Sequence, residues 1–286
     1  MTPKVRPVTG ALGAVITGIA LTRELSHEQV EVITTALHHH LVCFFPNQHL
    51  SPTQLVAFAG HFGTVNHTSA RNIAGVPEVM LRDSRRIPPD HIDEWHADGT
   101  YTTDPPALTV LHAQQVPEVG GDTLWADTSR AYQALSPVMQ RFLAGLTAVH
   151  LDSRSQRTAR HPVVLTHSKT GQRALYINPL YTKGICELEP SESTALLTLL
   201  FAHAQRPELT CRHRWSRFDL AIWDNRCTLH RPVTDYDPTA APRLMHRLTI
   251  ATPQPTATSS PGRSSSASRP TATTLADRCA RPTKWQ

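Results

Sequence analysis

Residues 94–101 read Glu94-Trp95-His96-Ala97-Asp98-Gly99-Thr100-Tyr101 and place an imidazole and a carboxylate two residues apart. If this stretch is a β-strand, alternate side chains point to the same face, so His96 and Asp98 can contact one ion while Ala97 points away. A histidine and a carboxylate on one face are two of the three ligands in the facial triad that holds non-haem Fe(II). The stretch therefore predicts part of a metal site on a strand.

The His-x-Asp spacing is not specific by itself. The chain has 17 histidines, and chance alone gives about one such triplet in a chain of this composition. The sequence contains three, namely His91-Ile92-Asp93, His96-Ala97-Asp98 and His150-Leu151-Asp152. Each alone is more often a solvated polar pair on a loop, so the choice among them depends on the rest of the chain.

Length and composition predict an ordinary globular protein. The 286 residues suffice for one large domain or two small ones, and 40% of them are hydrophobic. No run approaches the 18 apolar residues of a transmembrane helix, and residues 1–6 do not resemble the start of a secretory signal. The five cysteines are scattered without a CxxC pair, which favours a reducing cytoplasm over disulfides or a zinc knuckle.

The positive charge is concentrated at the C-terminal end. The formal net charge is +5. Residues 253–286 contain five basic residues against Asp277, which gives +4 and leaves about +1 for residues 1–252. The same segment is rich in Pro, Ser and Thr and is predicted to be a disordered tail behind a folded domain of residues 1–252. A nearly neutral folded part predicts neither a nucleic-acid partner nor a membrane partner.

Helix and strand signals alternate along the chain. Ser26 and Ser51-Pro52 are typical helix N-termini and predict helices over residues 26–40 and 51–63. Residues 64–94 are rich in Arg, Asp and Pro and predict a long loop. One helix after Asp127 is predicted to place an apolar stripe in the core, comprising Ala131, Leu135, Met139, Phe142 and Leu146.

The remaining pattern predicts a mixed α+β, β-rich fold. Apolar strands are expected at residues 41–45, 108–113, 163–165, 174–177, 220–223 and 247–251, with a further helix over 191–203. Many short strands with a few flanking helices favour a double-stranded β-helix, or jelly roll, which can hold a metal between its two sheets.

The missing metal ligand is expected far along the chain, on a strand that folds back beside the first. Residues Trp223–Arg231 supply His230 after an apolar strand and a turn. Residues 242–247 then bring Arg243 and Arg247. A guanidinium fork pointing into the barrel would bind a carboxylate through two hydrogen bonds.

These motifs together resemble the TauD/TfdA family of Fe(II)- and 2-oxoglutarate-dependent dioxygenases. The residues that carry the resemblance are Trp95–Tyr101, Gly120-Gly121-Asp122-Thr123-Leu124-Trp125, Trp223-Asp224-Asn225-Arg226 with His230, and Arg243-Leu244-Met245-His246-Arg247. The resemblance covers roughly residues 7–252, and the motifs occur in the order that the family has.

The resemblance implies the following roles. His96, Asp98 and His230 match the iron ligands, which rejects the other two His-x-Asp triplets. Thr123 and Arg243 match the groups that bind the distal carboxylate of 2-oxoglutarate. The implied reaction uses O2, converts 2-oxoglutarate to succinate and CO2, and hydroxylates a substrate; the presence of Asp98 argues for hydroxylation over halogenation.

The substrate is less well defined by the resemblance. Arg247 matches an arginine that faces the substrate anion in sulfonate-using members, and His67 lies one position from a substrate-contacting histidine. Ile92 stands where taurine-using members have an asparagine, and residues 149–162 are shorter than the usual lid. The expected substrate is a small anion: a sulfonate such as taurine, a sulfate ester or a carboxylate.

One alternative stays open at this point, a catalytically inactive β-helix module that binds a small acid or a partner. The intact ligand set and both co-substrate contacts argue against it. The expected partner is a small-molecule substrate, the expected location is the cytoplasm, and a homo-oligomer is left open.

Overall fold

The computed structural model describes residues 2–67, 71–86 and 93–251. Its strands are β1 (Lys4–Pro7), β2 (Ala14–Thr17), β3 (Val42–Phe45), β4 (Asn72–Ile73), β5 (Val76–Asp83), β6 (Leu108–Gln115), β7 (Thr123–Asp127), β8 (Thr147–Asp152), β9 (Arg157–Pro162), β10 (Val164–Thr166), β11 (Arg173–Leu175), β12 (Thr182–Ile185), β13 (Thr210–His213), β14 (Leu220–Asp224), β15 (Thr228–Pro232) and β16 (Leu244–Ile250). Its α-helices are α1 (His27–His40), α2 (Pro52–Gly60), α3 (Thr128–Gln133), α4 (Pro137–Leu143) and α5 (Pro190–Ala204). The predicted tail, residues 253–286, lies outside the described residues.

The strands form one large sheet and three smaller ones. The large sheet has the order β1-β2-β3-β14-β6-β16-β5-β4, and the smaller sheets are β13-β7-β15, β12-β8-β9 and the pair β10-β11. Neighbours such as β6 and β16 are distant in sequence, as expected for a jelly roll. The predicted β-rich fold with flanking helices is confirmed.

The large sheet has two apolar faces because side chains alternate along each strand. One face packs against α1 and α2 and includes Phe45, Val110 and Leu248. The opposite face, hereafter the inner face, packs against the β13-β7-β15 sheet: Trp125 of β7 lies 5.3 Å from Phe44 between ring centroids. The space between these two sheets is where a jelly roll can hold a metal.

The helix starts follow the sequence signals. The side chains of Ser26 and Ser51 each accept a hydrogen bond from the amide of the third helical residue, a glutamine in both helices. The side-chain oxygen of that glutamine accepts from the serine amide. Each capping box satisfies two amide groups that an open helix end would leave without partners. The second helix ends at Gly60 rather than at residue 63.

Three sequence predictions are wrong in the structure. The predicted loop 64–94 contains strands β4 and β5. The single helix after Asp127 is two helices, because Ser136 caps a new one beginning at Pro137, and Phe142 is 48% exposed rather than in the core. The stretch around His96 forms one isolated β-bridge with His230 rather than a strand.

The residues that the structure describes include no helix with the length and hydropathy needed to cross a membrane.

Candidate metal centre and active site

Two histidines meet across the isolated β-bridge. The His96 amide donates to the His230 carbonyl at 3.0 Å, and the His230 amide donates to the His96 carbonyl at 2.8 Å. Residues that exchange both backbone bonds stand directly opposite each other, so their side chains share a face. The two imidazole rings are 4.2 Å apart between centroids, and Asp98 completes a buried group whose ligand atoms all lie within 4.8 Å of one another.

The hydrogen bonds of His96 leave its Nε2 atom free to bind a metal. Its Nδ1 lies 2.8 Å from the Glu94 carbonyl oxygen, which can only accept, so the proton belongs on Nδ1 and the lone pair on Nε2. The Nε2 atoms of His96 and His230 lie 3.8 Å and 3.7 Å from the same atom, Asp98 Oδ1. Two imidazole nitrogens and one carboxylate oxygen converge, which is the donor set of a facial Fe(II) site.

The protonation states also suit a metal site. Burial lowers the pKa of His96 and that of His230, which favours the neutral imidazole that binds metals. Burial alone would raise the pKa of Asp98. The positive charge of Arg247 and the hydrogen bond from Thr109 oppose burial and hold the Asp98 pKa well below its usual range, so the carboxylate is ionised. Arg247 Nη2 lies 2.9 Å from Asp98 Oδ1.

A chain of hydrogen bonds fixes the other oxygen of Asp98. The Thr109 hydroxyl donates to Asp98 Oδ2 at 2.6 Å and accepts from Asn225 Nδ2 at 2.9 Å. Asn225 Oδ1 in turn accepts from Trp223 Nε1 at 3.0 Å and from the Asp98 amide at 3.3 Å. Because all four groups are buried, this network orients Oδ1 toward the two imidazoles. Sequence reasoning missed Thr109, for which no local signal exists.

The predicted co-substrate pair, Thr123 and Arg243, meets in the structure. Arg243 Nη2 and Trp215 Nε1 both donate to Thr123 Oγ1, at 3.3 Å and 3.0 Å. Both lone pairs of the hydroxyl are then occupied, so its proton is left to donate to an anion. Arg243 also donates from Nε to the Gly121 carbonyl at 2.9 Å, and burial lowers the pKa of Arg243 to about 10.

The Gly120-Gly121 turn has a backbone that only glycine adopts readily. Both residues have positive φ angles, 81° and 70°. A Cβ atom on Gly121 would lie 2.9 Å from Pro117 and 3.3 Å from Arg243. The turn therefore needs glycine to bring its carbonyl beside the guanidinium.

Two tyrosines lie beside the metal-binding group. Tyr181 is 6.1 Å from the His96 ring and 4.9 Å from the Tyr101 ring, between centroids. Burial raises the pKa of both phenols, so they are neutral aromatic surfaces. The segment predicted as a shortened lid is the β8–β9 hairpin, whose Arg157 lies 6.0 Å over the Tyr101 ring.

The other candidate histidines lie elsewhere. His67 is 73% exposed, and its Nε2 lies 3.8 Å from Glu78 Oε1; its role in substrate binding stays a prediction. His150 is fully buried and bonds to Thr100 at 3.0 Å, while Asp152 caps its own turn. His91 and Ile92 lie outside the described residues.

The fold and site together define a jelly-roll protein with a candidate 2-His-1-carboxylate metal centre between its sheets. The family model described as "Taurine catabolism dioxygenase TauD, TfdA family" matches residues 4–249. The chain belongs to this family. It is a 2-oxoglutarate-dependent non-haem iron dioxygenase, and Fe(II), 2-oxoglutarate and O2 are its cofactor and co-substrates.

Similar proteins cover most of the chain. An alkylsulfatase of Acinetobacter baylyi is 33% identical over 87% of this chain and 84% of its own length. An alpha-ketoglutarate-dependent sulfate ester dioxygenase of Pseudomonas putida is 33% identical over 86% and 89%. The crystal structure of a putative alpha-ketoglutarate-dependent taurine dioxygenase from Burkholderia xenovorans superposes with a TM-score of 0.83, at 36% identity over 87% and 93%.

Proposed function

We propose that the protein hydroxylates a small organic anion at a carbon near the charged group, and that Arg247 binds this charge. The observation that carries the proposal is the 2.9 Å contact between Arg247 and Asp98. A guanidinium beside a candidate iron ligand can hold an anion so that its carbon chain faces the metal. The substrate class comprises sulfate esters, sulfonates and small carboxylates. The names of the two relatives above favour sulfate esters, and that of the taurine dioxygenase structure favours sulfonates.

The remaining roles follow from the same geometry. His96, Asp98 and His230 would hold Fe(II), and Thr123 with Arg243 would bind the distal carboxylate of 2-oxoglutarate. Bound Fe(II) would activate O2, the oxidant, of which one oxygen atom enters succinate as 2-oxoglutarate loses CO2 and the other hydroxylates the substrate. The chain itself contributes ligand geometry, orientation of both anions and exclusion of water.

Exclusion of water is supported by the aromatic residues beside the metal-binding group. Tyr101 and Tyr181 present neutral rings, and Arg157 of the hairpin lies over Tyr101. A dry site strengthens the attraction between a guanidinium and a substrate anion because the local dielectric constant falls. The hairpin would then cover the substrate in place of a longer lid.

The proposal is tested by measuring succinate. Purified protein with Fe(II) and 2-oxoglutarate should form succinate slowly without substrate and faster with one anion from a panel of alkyl sulfates, sulfonates and aryloxy acids. The anaerobic Fe(II)–2-oxoglutarate complex should also absorb visible light. Protein that gives neither the colour nor succinate with any anion would contradict the proposal and favour an inactive binding module.

The co-substrate assignment has its own test. The Arg243→Gln variant should raise the KM for 2-oxoglutarate about ten- to hundredfold, because a charge-assisted hydrogen bond to the distal carboxylate is lost. Arg214→Gln is a matched control, since that guanidinium is exposed and donates to the Glu118 carbonyl. An unchanged KM in Arg243→Gln would remove Arg243 from the co-substrate site.

We also infer a small-molecule partner rather than nucleic acid. Arg243 and Arg247 are at least partly buried beside the candidate metal centre, where they suit a small anion better than a phosphate backbone. The basic residues of the predicted tail lie outside the described residues. The cytoplasmic location and the oligomeric state stay predictions.

A further inference from the structure

A third arginine, which sequence reasoning did not single out, lies between Arg243 and Arg247. Strands β5 and β16 pair antiparallel with Arg82 opposite Met245, the position midway between those two arginines. Directly opposite residues project to the same face of a sheet. Met245 is fully buried in the inner-face cluster, so Arg82 also projects toward the space between the sheets.

The alternation along β5 supports this direction. Val79 belongs to the apolar cluster on the opposite face, against the helices. A residue three positions later lies on the other side of the strand, because successive side chains alternate.

Arg82 has no anion of its own among the described residues. Arg243 donates to the Gly121 carbonyl, and Arg247 is paired with Asp98. The guanidinium of Arg82 has neither an ion pair nor a side-chain hydrogen bond within the described part of the chain, although burial lowers its pKa to about 10. The nearby carboxylate whose charge acts on Arg82 is Asp98, which is already paired with Arg247. A partly buried cation that shares its counter-ion is costly unless a ligand supplies further negative charge.

The number of guanidinium groups bears on the substrate's chemistry. Arg243 is assigned to 2-oxoglutarate, which leaves Arg82 and Arg247 for the substrate. A carboxylate has two oxygens, and one guanidinium fork can occupy both. A sulfate or sulfonate group has three terminal oxygens, so it can bind one fork and still offer an oxygen to a second guanidinium.

We propose that Arg82 and Arg247 together bind the substrate's anionic group, and that this group is a sulfate ester or a sulfonate rather than a carboxylate. The inference rests on the function proposed above and deepens it. Arg247 lies next to Asp98 and orients the group at the metal. Arg82 takes the additional oxygen and so selects for a tetrahedral headgroup.

The test compares three probes with the same hexyl chain: hexyl sulfate, hexane-1-sulfonate and heptanoate. Each probe is titrated anaerobically into protein loaded with Fe(II) and 2-oxoglutarate, and its Kd is read from the change in the visible band. The wild type should bind hexyl sulfate or hexane-1-sulfonate more tightly than heptanoate. Arg82→Gln should raise the Kd of the more tightly bound of these two probes about ten- to hundredfold. It should raise the Kd of heptanoate by less than about threefold.

Two further variants separate this role from a structural one. Arg82→Lys keeps the charge and loses the fork, so its Kd should lie between those of the wild type and Arg82→Gln. Arg86→Gln removes a 73% exposed guanidinium from the same segment and should leave all three Kd values unchanged. An unaltered visible band in Arg82→Gln shows that the variant is folded and loaded.

The inference and the function it rests on fail in different ways. A wild type that gives the visible band but binds heptanoate at least as tightly as both hexyl sulfate and hexane-1-sulfonate, or binds no probe, overturns the inference alone. Equal losses for all probes in Arg82→Gln, or a raised KM for 2-oxoglutarate, also overturn it. Absence of both the visible band and succinate in the wild type contradicts the function itself.

Discussion

Replacing Thr109 with valine removes the hydroxyl that holds Asp98 while nearly preserving the shape of the side chain. In the wild type this hydroxyl donates to Asp98 Oδ2 at 2.6 Å and accepts from Asn225 at 2.9 Å. Thr109 has no solvent exposure, so water cannot replace either bond without a rearrangement. Asp98 should therefore lose its fixed orientation toward His96 and His230.

The size of the effect follows from the two bonds. A hydrogen bond to a charged group contributes about 1.5–3 kcal/mol, and a buried donor left without an acceptor, here Asn225 Nδ2, costs about 1–3 kcal/mol. Loss of a group that orients a metal ligand commonly weakens metal binding about ten- to hundredfold. We expect Thr109→Val to weaken Fe(II) binding within that range and to lower the free energy of unfolding.

The assay is an anaerobic Fe(II) titration at saturating 2-oxoglutarate, read from the visible band of the complex. Thr109→Ser retains the hydroxyl and should bind Fe(II) as the wild type does. Thr249→Val is the matched control, because Thr249 stands opposite Thr109 in the β6–β16 pair and its hydroxyl accepts from Asn66 at 3.1 Å. Equal Fe(II) affinity in Thr109→Val and the wild type, or an equal loss in Thr249→Val, would refute the reasoning.

Two further predictions concern stability. Burial lowers the pKa of His150 from 6.5 to about 3, so its contribution to stability is complete above pH 6.5 and is lost as the pH falls toward 3. In His150→Gln the free energy of unfolding should fall less steeply with acidification than in the wild type, by up to about 1.4 kcal/mol per pH unit. Urea denaturation at several pH values between 3 and 6.5 measures this dependence. The same pH dependence in the variant and the wild type would contradict the lowered pKa of His150. Leu143→Ala should lower the free energy of unfolding by about 2–5 kcal/mol because Leu143 is fully buried. Phe142→Ala, at a 48% exposed position, should lower it much less. Similar decreases in Tm for the two variants would place Phe142 in the core.

Local signals made much of the fold predictable. Ser26 and Ser51 indicate helix starts because a capping hydroxyl forms its hydrogen bond with a backbone amide only three residues later in the chain. The apolar strand before Pro46 and the strand pair around residues 169–171 are likewise local patterns, and both strands of that pair form antiparallel neighbours. The meeting of His96 with His230 is not local. It was expected because a facial triad needs a second histidine and because the order of several motifs resembles one family.

Two failures have the same physical origin, a local rule that a neighbouring element overrides. Phe142 continues an apolar stripe only if the helix after Asp127 is continuous. Ser136 and Pro137 begin a new helix, so the phase restarts and Leu143 becomes the residue that faces the core. The strand expected around His96 is limited to one β-bridge because the chain enters a turn at Asp98, where the next residue, Gly99, has a φ of 65°.

The wrong prediction at β5 has another origin, because charged residues interrupt the apolar alternation that would indicate a strand. Residues 76–83 alternate, with Val79 on the face toward the helices and Met80 and Arg82 on the inner face. A strand with both faces in a protein interior is expected to be apolar on both, whereas residues 64–94 are rich in Arg, Asp and Pro and therefore resemble a loop. A charged residue departs from that pattern where a ligand supplies the compensating charge. Under the proposed role, the residue that made β5 difficult to predict is also the one that selects the substrate's anionic group. A carboxylate partner for Arg82 among the described residues would remove the need for an additional anion on the inner face.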